Sequence, residues 1–135
     1  MNTFKDKYPN AFQDFFQGYI DCALWAESAD IEPELDESFA DCGFSVISLT
    51  EETRKKMEDD CEKFLQKAEN LLDEEKNVRK DNFRFDIAGQ DFWLTRNGHG
   101  AGFWDGGWHY GKELTEIANE FPECTLYLIG NKITI

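Results

Sequence analysis

Residues 91–108 of this 135-residue chain, DFWLTRNGHGAGFWDGGW, hold three of its four tryptophans and five of its ten glycines. Three of these glycines alternate in GHGAG (98–102), and glycine adopts positive φ angles at little steric cost. Aromatic runs with the composition of strands, 92–95 and 102–104, stand on either side of the glycines. The stretch therefore predicts a tight connection between two aromatic strands.

The residues just before this stretch show a hydrophobic period of two. Phe83, Phe85 and Ile87 alternate with charged residues, which is typical of a half-buried strand. Gly89 follows and indicates a break in the regular structure. We therefore expect a strand at 83–87 that leads into the aromatic pair.

The residues after the stretch predict one helix and one hairpin. Apolar residues recur at helical spacing over about 111–121, and Pro122 ends the pattern. In the final segment, CTLYLIGNKITI, Gly130-Asn131 separates two β-rich runs. This dipeptide between such runs is a strong signal for a two-residue β-hairpin loop.

Two further helices are predicted in the first half of the chain. Asn10 is a candidate N-cap for a helix of about four turns, in which Gly18 costs about 1 kcal/mol relative to alanine. Thr50 is a candidate N-cap for a second helix at about 51–75, while 27–41 predicts a solvated loop and 43–49 a short extended segment. The apolar stripes of the two helices are Phe12, Phe15, Phe16, Tyr19, Ile20, Ala23 and Leu24, and Met57, Cys61, Phe64, Leu65, Ala68, Leu71 and Leu72.

This order of elements predicts an α+β fold. We expect two N-terminal helices, antiparallel strands, a third helix and a C-terminal β-hairpin, packed in layers around one core. A chain of this length is predicted to form a single domain over residues 1–135. Within that domain, residues 1–75 would form an acidic helical part and residues 82–135 a β-rich part.

The charge of the chain is strongly negative and unevenly distributed. Twenty-eight acidic residues against fourteen basic ones give a net charge of −14. Residues 1–75 hold 20 acids and 7 bases, whereas residues 76–135 hold 8 acids and 7 bases. Such a surface repels phosphates and anionic lipids and attracts basic proteins or cations. Direct binding of nucleic acid or of a membrane is therefore disfavoured.

The densest acidic segment lies between Glu27 and Asp41, with seven carboxylates and no lysine or arginine. A run of charges is often only a solvated surface. The alternative is a surface whose carboxylates stand where DNA phosphates would stand, since duplex DNA carries one charge per roughly 1.7 Å. The candidate partner-binding residues are Glu27, Asp30, Glu32, Glu34, Asp36, Glu37, Asp41, Glu58, Asp59 and Glu62.

The glycine-rich stretch is a second candidate site, for a small molecule or nucleotide. A GxGxG loop can hold phosphate, but that use requires a helix N-terminus after the loop, and here a strand is predicted. Opposite charges at Asp91, Arg96 and Asp105 are also explained by an ion pair that fixes a turn. The candidate ligand-binding residues are Trp93, Arg96, Asn97, His99, Trp104 and Asp105.

No catalytic residue, metal or cofactor is predicted. His99, Asp105 and His109 have no recognisable spacing of metal ligands, and the serines lie outside any G-x-S-x-G motif. The cysteines at 22, 42, 61 and 124 form no C-x-x-C motif. The first residues lack the apolar core of a secretion signal, so we expect reduced thiols in a cytoplasm and no membrane span.

The segment DFWLTRNGHGAGFWD (91–105) resembles a near-identical segment in a group of small proteins predicted in bacteriophage and mobile-element genomes. The surrounding order is similar, with an Ala23-Leu24-Trp25 segment in the first helix and an acidic helix after a threonine. The chain departs from the group at Gln90 and Gly106, where relatives often have histidine and arginine, which argues against a metal or charge-relay role. The resemblance implies a phage-type origin and a bacterial cytoplasm.

Small acidic phage proteins often resemble inhibitors of host nucleases, restriction enzymes or CRISPR effectors. The sequence therefore leads to a non-enzymatic, acidic, DNA-mimicking inhibitor of a basic host protein that binds nucleic acid or acts in defence. One alternative is a small-molecule or nucleotide-binding protein, or an enzyme, that uses residues 91–108. Another is a structural or regulatory protein whose acidity serves only solubility.

Overall fold

The computed structural model of the chain describes residues 3–27 and 38–135. These residues form a mostly helical fold with one small antiparallel sheet, which is consistent with the predicted α+β class. Short 3-10 turns occupy Val46–Ser48 and Lys80–Asn82. Within the described ranges the helices are α1 (Phe4–Lys7), α2 (Pro9–Ala26), α3 (Glu51–Arg79), α4 (Phe85–Arg96) and α5 (Gly111–Ala118), and the strands are β1 (Tyr127–Ile129) and β2 (Lys132–Thr134).

The two predicted N-terminal helices are confirmed as α2 and α3, with different ends. Pro9 is the first residue of α2 and Tyr8 its N-cap, so the predicted capping role of Asn10 is wrong. Proline suits this position because its missing N–H would have no partner in the first turn. Thr50 is the N-cap of α3, and its hydroxyl accepts a hydrogen bond from Thr53 N. α3 continues beyond residue 75 to Arg79 because its last turn packs on the segment after α4.

The strands predicted at 83–87 and 92–95 are wrong, because Phe85–Arg96 is a single helix. The alternation of Phe83, Phe85 and Ile87 is short, and these side chains are only half-buried. The buried face of α4 has the helical spacing of Ala88, Gly89, Phe92, Trp93, Thr95 and Arg96. Tertiary packing of that face decides the helix, and the glycine that indicates a break lies inside it.

The strand predicted at 102–104 is also wrong. These residues form a turn after α4, in which Gly102 has a φ of 140°. Phe103 N donates a hydrogen bond to the side-chain oxygen of Thr95, which ties the turn back to α4. The segment at 43–49 is not extended as predicted, because it contains the 3-10 turn at Val46–Ser48 and only Leu49 makes an isolated parallel bridge, to Ile133.

The predicted third helix and the predicted C-terminal hairpin are both confirmed. β1 and β2 pair in an antiparallel register with Ile129 opposite Lys132, so Gly130 and Asn131 form the two-residue loop. Gly130 has a φ of 63°, which the loop requires and glycine adopts easily. α5 ends at Ala118, three residues before the predicted end.

The buried side chains of both halves of the chain form one hydrophobic cluster. At its centre the ring of Phe64 on α3 lies 4.3 Å from that of Phe92 on α4, measured between ring centroids. Phe64 also contacts Phe15 on α2 and Phe103 in the turn after α4. Residues 82–135 are therefore not β-rich as predicted, since two helices and a turn of this segment pack on α2 and α3.

Candidate functional site

The polar side chains of the glycine-rich stretch hold the turn that follows α4. The Asn97 side chain donates to Trp93 O and accepts from Cys124 N, at 3.0 and 2.7 Å. Asp105 Oδ1 accepts a hydrogen bond of 2.9 Å from Gly102 N. These bonds stabilise a fixed backbone path, so much of the predicted ligand-binding set has a structural role.

Asp91 on α4 and Trp108 form a clamp across the same turn. Trp108 Nε1 donates to Asp91 Oδ2 at 2.6 Å, and the Arg79 guanidinium lies 4.0 Å from the centre of the Trp108 ring. Arg79 also donates to Gly106 O at 3.0 Å. Burial raises the pKa of Asp91, with a smaller contribution from the charge of Asp105, while the Trp108 hydrogen bond and Arg79 oppose the rise.

Glu75 anchors the other end of this segment to α3. Its side chain is fully buried, and its Oε1 accepts a short hydrogen bond from Tyr110 N. Its second oxygen, Oε2, lies 3.4 Å from Arg79 Nε. The carboxylate therefore fixes the backbone of the glycine-rich segment against α3.

Arg96, the last residue of α4, forms a buried ion pair with Asp60 of α3. The Arg96 Nη1 to Asp60 Oδ2 distance is 2.9 Å, and both side chains are almost fully buried. Arg96 also donates to the Tyr19 hydroxyl and to Pro122 O, while Lys56 contacts the second oxygen of Asp60. Buried charges require such partners. The predicted ligand contact Arg96 thus links three parts of the fold.

Cys22, Cys61 and Cys124 are free thiols. Burial, with the negative charges of Asp91 and Glu27, raises the pKa of Cys22 to about 12. Burial likewise raises the pKa of Cys61 and of Cys124. These three thiols are therefore protonated at neutral pH, and the thiolate is the form that acts as a nucleophile.

Two tryptophans lie at the surface while the other two are buried. Trp25 and Trp104 are 64% and 59% exposed, whereas Trp93 is fully buried and Trp108 nearly so. Within the described ranges, neither exposed indole has an aromatic or ionic partner. Glu27, two residues after Trp25, contacts the loop that leads to Trp104, with His99 Nε2 2.9 Å from Glu27 Oε1. We call Trp25 and Trp104 the exposed tryptophan pair.

A groove of about 420 Å³ lies between α2 and the start of α4. Asp14, Gln17, Gly18 and Asp21 form its α2 side, at the spacing of one helix face. Residues 83–86 and Gln90 form the opposite side. We call this cavity the α2–α4 groove, and it is flanked by three carboxylates and one guanidinium group.

Two further cavities have different linings. One, of about 460 Å³, lies between the Val46–Ser48 turn, Arg54 and Lys132. The other, of about 340 Å³, is lined by Cys124 and by the Arg96–Asp60 ion pair, among other residues. Of residues 91–108, only Arg96 lines any of these three cavities. The six predicted ligand-binding residues are therefore not brought together around one of them.

The predicted acidic residues that the structure describes have unequal surroundings. Glu62 accepts hydrogen bonds from Phe4 N and Lys5 N, so it caps the start of α1. Glu58 lies 3.8 Å from Arg54, whereas Asp59 and Asp41 are exposed. Glu27 contacts His99. The remaining predicted contacts, Asp30, Glu32, Glu34, Asp36 and Glu37, lie outside the described residues.

The sequence prediction did not include the α2–α4 groove or Trp25. Asp14, Gln17 and Asp21 recur at helical spacing around Gly18, and this polar pattern was the available signal. Its meaning depends on α4, which the sequence pattern did not predict. The exposure of Trp25 and Trp104 follows from tertiary packing, and two other tryptophans of the same chain are buried.

The chain matches no family model, no curated protein and no solved structure. Among residues 3–27 and 38–135, no helix has both the length and the apolar character that a membrane crossing requires. The same residues contain no group of three or more histidine, cysteine, aspartate or glutamate side chains placed to hold a metal ion.

Proposed function

We propose that the chain is a non-enzymatic binding protein for a basic protein that itself binds nucleic acid or acts in host defence. Binding would be stoichiometric and would occupy the partner's nucleic-acid surface, in the cytoplasm of a bacterial host. The exposed tryptophan pair carries this proposal, because the chain buries its other two tryptophans. Tryptophan is enriched among the residues that dominate protein–protein binding energy.

The position of the exposed tryptophan pair also favours a basic partner. Trp25 lies two residues before Glu27, where the densest acidic segment of the sequence begins. The chain as a whole has a net charge of −14, so its field attracts cationic surfaces from a distance. Apolar anchors next to a charged rim are the usual arrangement of a protein interface.

The chemistry of the buried groups supports binding rather than catalysis. Asp91 accepts a hydrogen bond from Trp108, and Arg96 forms an ion pair with Asp60, so Asp91 and Arg96 both have structural partners. The pKa of Cys22 is raised to about 12, which leaves this thiol protonated at neutral pH. The alternative use of residues 91–108 as a ligand site stays a prediction, with no cavity among the three that favours it.

Capture of host proteins on the immobilised chain tests this proposal. The native chain should retain a basic protein at low salt and release it at high salt, because electrostatic attraction is screened. The double variant Trp25→Ala/Trp104→Ala should lose the same protein. A matched control, Tyr127→Ala/Ile129→Ala, removes two exposed apolar side chains elsewhere and should retain it.

Displacement of DNA then tests the inhibitory part of the proposal. The captured protein is purified and bound to a fluorescent DNA duplex, and the anisotropy of the duplex is followed while the native chain is added. A fall in anisotropy that the tryptophan double variant does not produce is expected. Unchanged anisotropy would refute competition with DNA, and equal capture by the native chain and the tryptophan variant would refute the proposed interface.

A further inference from the structure

The α2–α4 groove has a floor made of backbone. Gly18 lies on the α2 side, and a Cβ atom on this residue would overlap the carbonyl oxygen of Asp86. The two helices therefore meet at the floor without a side chain from Gly18. The side chains of Asp14 and Asp21 stand one turn to either side of this glycine and leave the space between them open.

The groove carries several hydrogen-bond acceptors, on side chains that are mostly solvent-exposed, that have no donor among residues 3–27 and 38–135. Within the described ranges, Asp14 has no hydrogen-bond or ion-pair partner, and Asp21 has one, the side-chain amide of Gln17. The side-chain oxygens of Gln17 and Gln90 accept no hydrogen bond from the described residues. The groove thus offers several free acceptors on both of its sides.

The charge of the groove remains negative after its internal pair is counted. Asp86 is neutralised by Arg84, which contacts both of its oxygens, and it also accepts from Ile87 N. Asp14 and Asp21 have no such cation among the described residues. Two uncompensated carboxylates therefore face one cavity, beside the rings of Phe83 and Phe85.

We propose that the α2–α4 groove binds an arginine side chain of the protein partner. This proposal rests on the proposed function and names one contact point for the partner. A guanidinium group has five donors and no acceptor, so it matches a cavity with free acceptors. The rings of Phe83 and Phe85 line the same cavity, but the Lys76 ammonium already lies 5.9 and 4.8 Å from their centroids, so the free carboxylates and amide oxygens carry the contact. Phosphate is repelled by the carboxylates, and a lysine ammonium has fewer donors.

A peptide titration on the intact chain tests this inference without the partner. The probe is N-acetyl-Gly-Arg-Gly-amide, with the lysine peptide as comparison, and the readout is the NMR shift of Gly18 N–H and of the Gln17 and Gln90 side-chain amides. Saturable shifts at these groups are expected with the arginine peptide, and binding of the lysine peptide should be weaker. The variant Asp14→Asn/Asp21→Asn should bind about two- to thirtyfold more weakly, because each exposed ion pair contributes roughly a 1.4- to fivefold factor.

A matched control separates local contact from net charge. The variant Glu52→Gln/Asp73→Asn also removes two exposed carboxylates, from α3, and should bind the arginine peptide as the native chain does. Equal weakening by both double variants would overturn the site in favour of general attraction. Equal affinity for the two peptides, or no saturable shift up to roughly ten millimolar arginine peptide, would overturn the arginine assignment.

The outcome is distinguishable from failure of the proposed function. If the partner is still captured by Asp14→Asn/Asp21→Asn but lost by Trp25→Ala/Trp104→Ala, the binding function stands and the groove is not its contact. If the arginine peptide binds the groove while no basic protein is captured, the site stands and the proposed function fails.

Discussion

Gly18 and Gly89 face the backbone of each other's helix in a reciprocal arrangement. A Cβ on Gly18 would overlap the carbonyl oxygen of Asp86, three residues before Gly89, and a Cβ on Gly89 would overlap that of Phe15, three residues before Gly18. Both glycines are buried. The pair lets α2 and α4 approach until their backbones touch, which brings Tyr19 against the rings of Phe92 and Trp93.

Alanine at Gly89 should therefore destabilise the fold. Helix propensity alone predicts a gain of about 1 kcal/mol for this change, whereas overpacking against a backbone that cannot move aside predicts a loss of about 1–3 kcal/mol. We expect the loss, measured as the free energy of unfolding in urea. The control Asn70→Ala, at an exposed position of α3, should be neutral or slightly stabilising. A more stable Gly89→Ala variant would contradict the close contact of the two helices.

This contact also explains which parts of the fold were predictable. α2, α3, α5 and the Gly130-Asn131 hairpin are predicted because their signals are local stripes, caps and a turn dipeptide. α4 is not, because its buried face includes small residues and Arg96, whose burial depends on partners distant in sequence. Gly89, which the sequence pattern indicates as a break, lies inside α4 and packs against the backbone of α2.

The predictability of the site has the same limit. The sequence identifies the acidic character of the chain and the unusual composition of residues 91–108. It does not separate Trp93 and Trp108, which are buried, from Trp104, which is exposed. Nor does it distinguish Glu62, which caps α1, from Asp59, which is exposed, although both lie on the same helix. Those distinctions arise from contacts between residues far apart in the chain.

The buried pair of Asp60 and Arg96 should contribute far more to the free energy of unfolding than the exposed pair that Lys56 forms with the same carboxylate. Asp60→Ala leaves Arg96 buried without its counter-charge, and removing one partner of a buried pair costs about 3–5 kcal/mol. Lys56→Ala removes a cation whose side chain is largely exposed, so it should cost no more than about 1 kcal/mol. Urea unfolding of both variants gives the comparison. The double variant Asp60→Ala/Arg96→Met should lose less than the sum of its single variants, and additive losses would show that the two side chains do not interact.

The clamp between Asp91 and Trp108 should give a defined pH dependence. Because the pKa of native Asp91 is raised above its ordinary 3.8, the native chain takes up this proton before the unfolded chain does as pH falls. The free energy of unfolding of the native chain, relative to that of Asp91→Asn, should therefore increase as the pH falls through the raised pKa toward 3.8. At pH 7 the Asp91→Asn variant should be at least as stable as the native chain. Asparagine keeps an acceptor for Trp108 Nε1.

Unfolding of the native chain and of Asp91→Asn at a series of pH values measures this difference. Trp108→Phe is the complementary variant, since it keeps an aromatic ring but leaves Asp91 without its donor. It should lower the free energy of unfolding by about 1–3 kcal/mol. An Asp91→Asn variant clearly less stable than the native chain at pH 7 would show that attraction to Arg79 outweighs the cost of burial.

The thiol of Cys22 should report on the charge of Asp91. Burial is the main reason that the pKa of Cys22 is raised to about 12, and Asp91 and Glu27 add to the rise by repelling a thiolate. Since the thiolate is the reactive form, alkylation of Cys22 by iodoacetamide at pH 8 should be much slower in the native chain than in urea. Removal of one negative charge in Asp91→Asn should lower the pKa of this thiol and accelerate its alkylation, as followed by mass spectrometry of the Cys22 peptide. The control Asp59→Asn, which removes a carboxylate from α3, should leave the alkylation rate unchanged. Equal acceleration by both variants would indicate a less stable fold or a general effect of net charge instead of a local effect of Asp91 on Cys22.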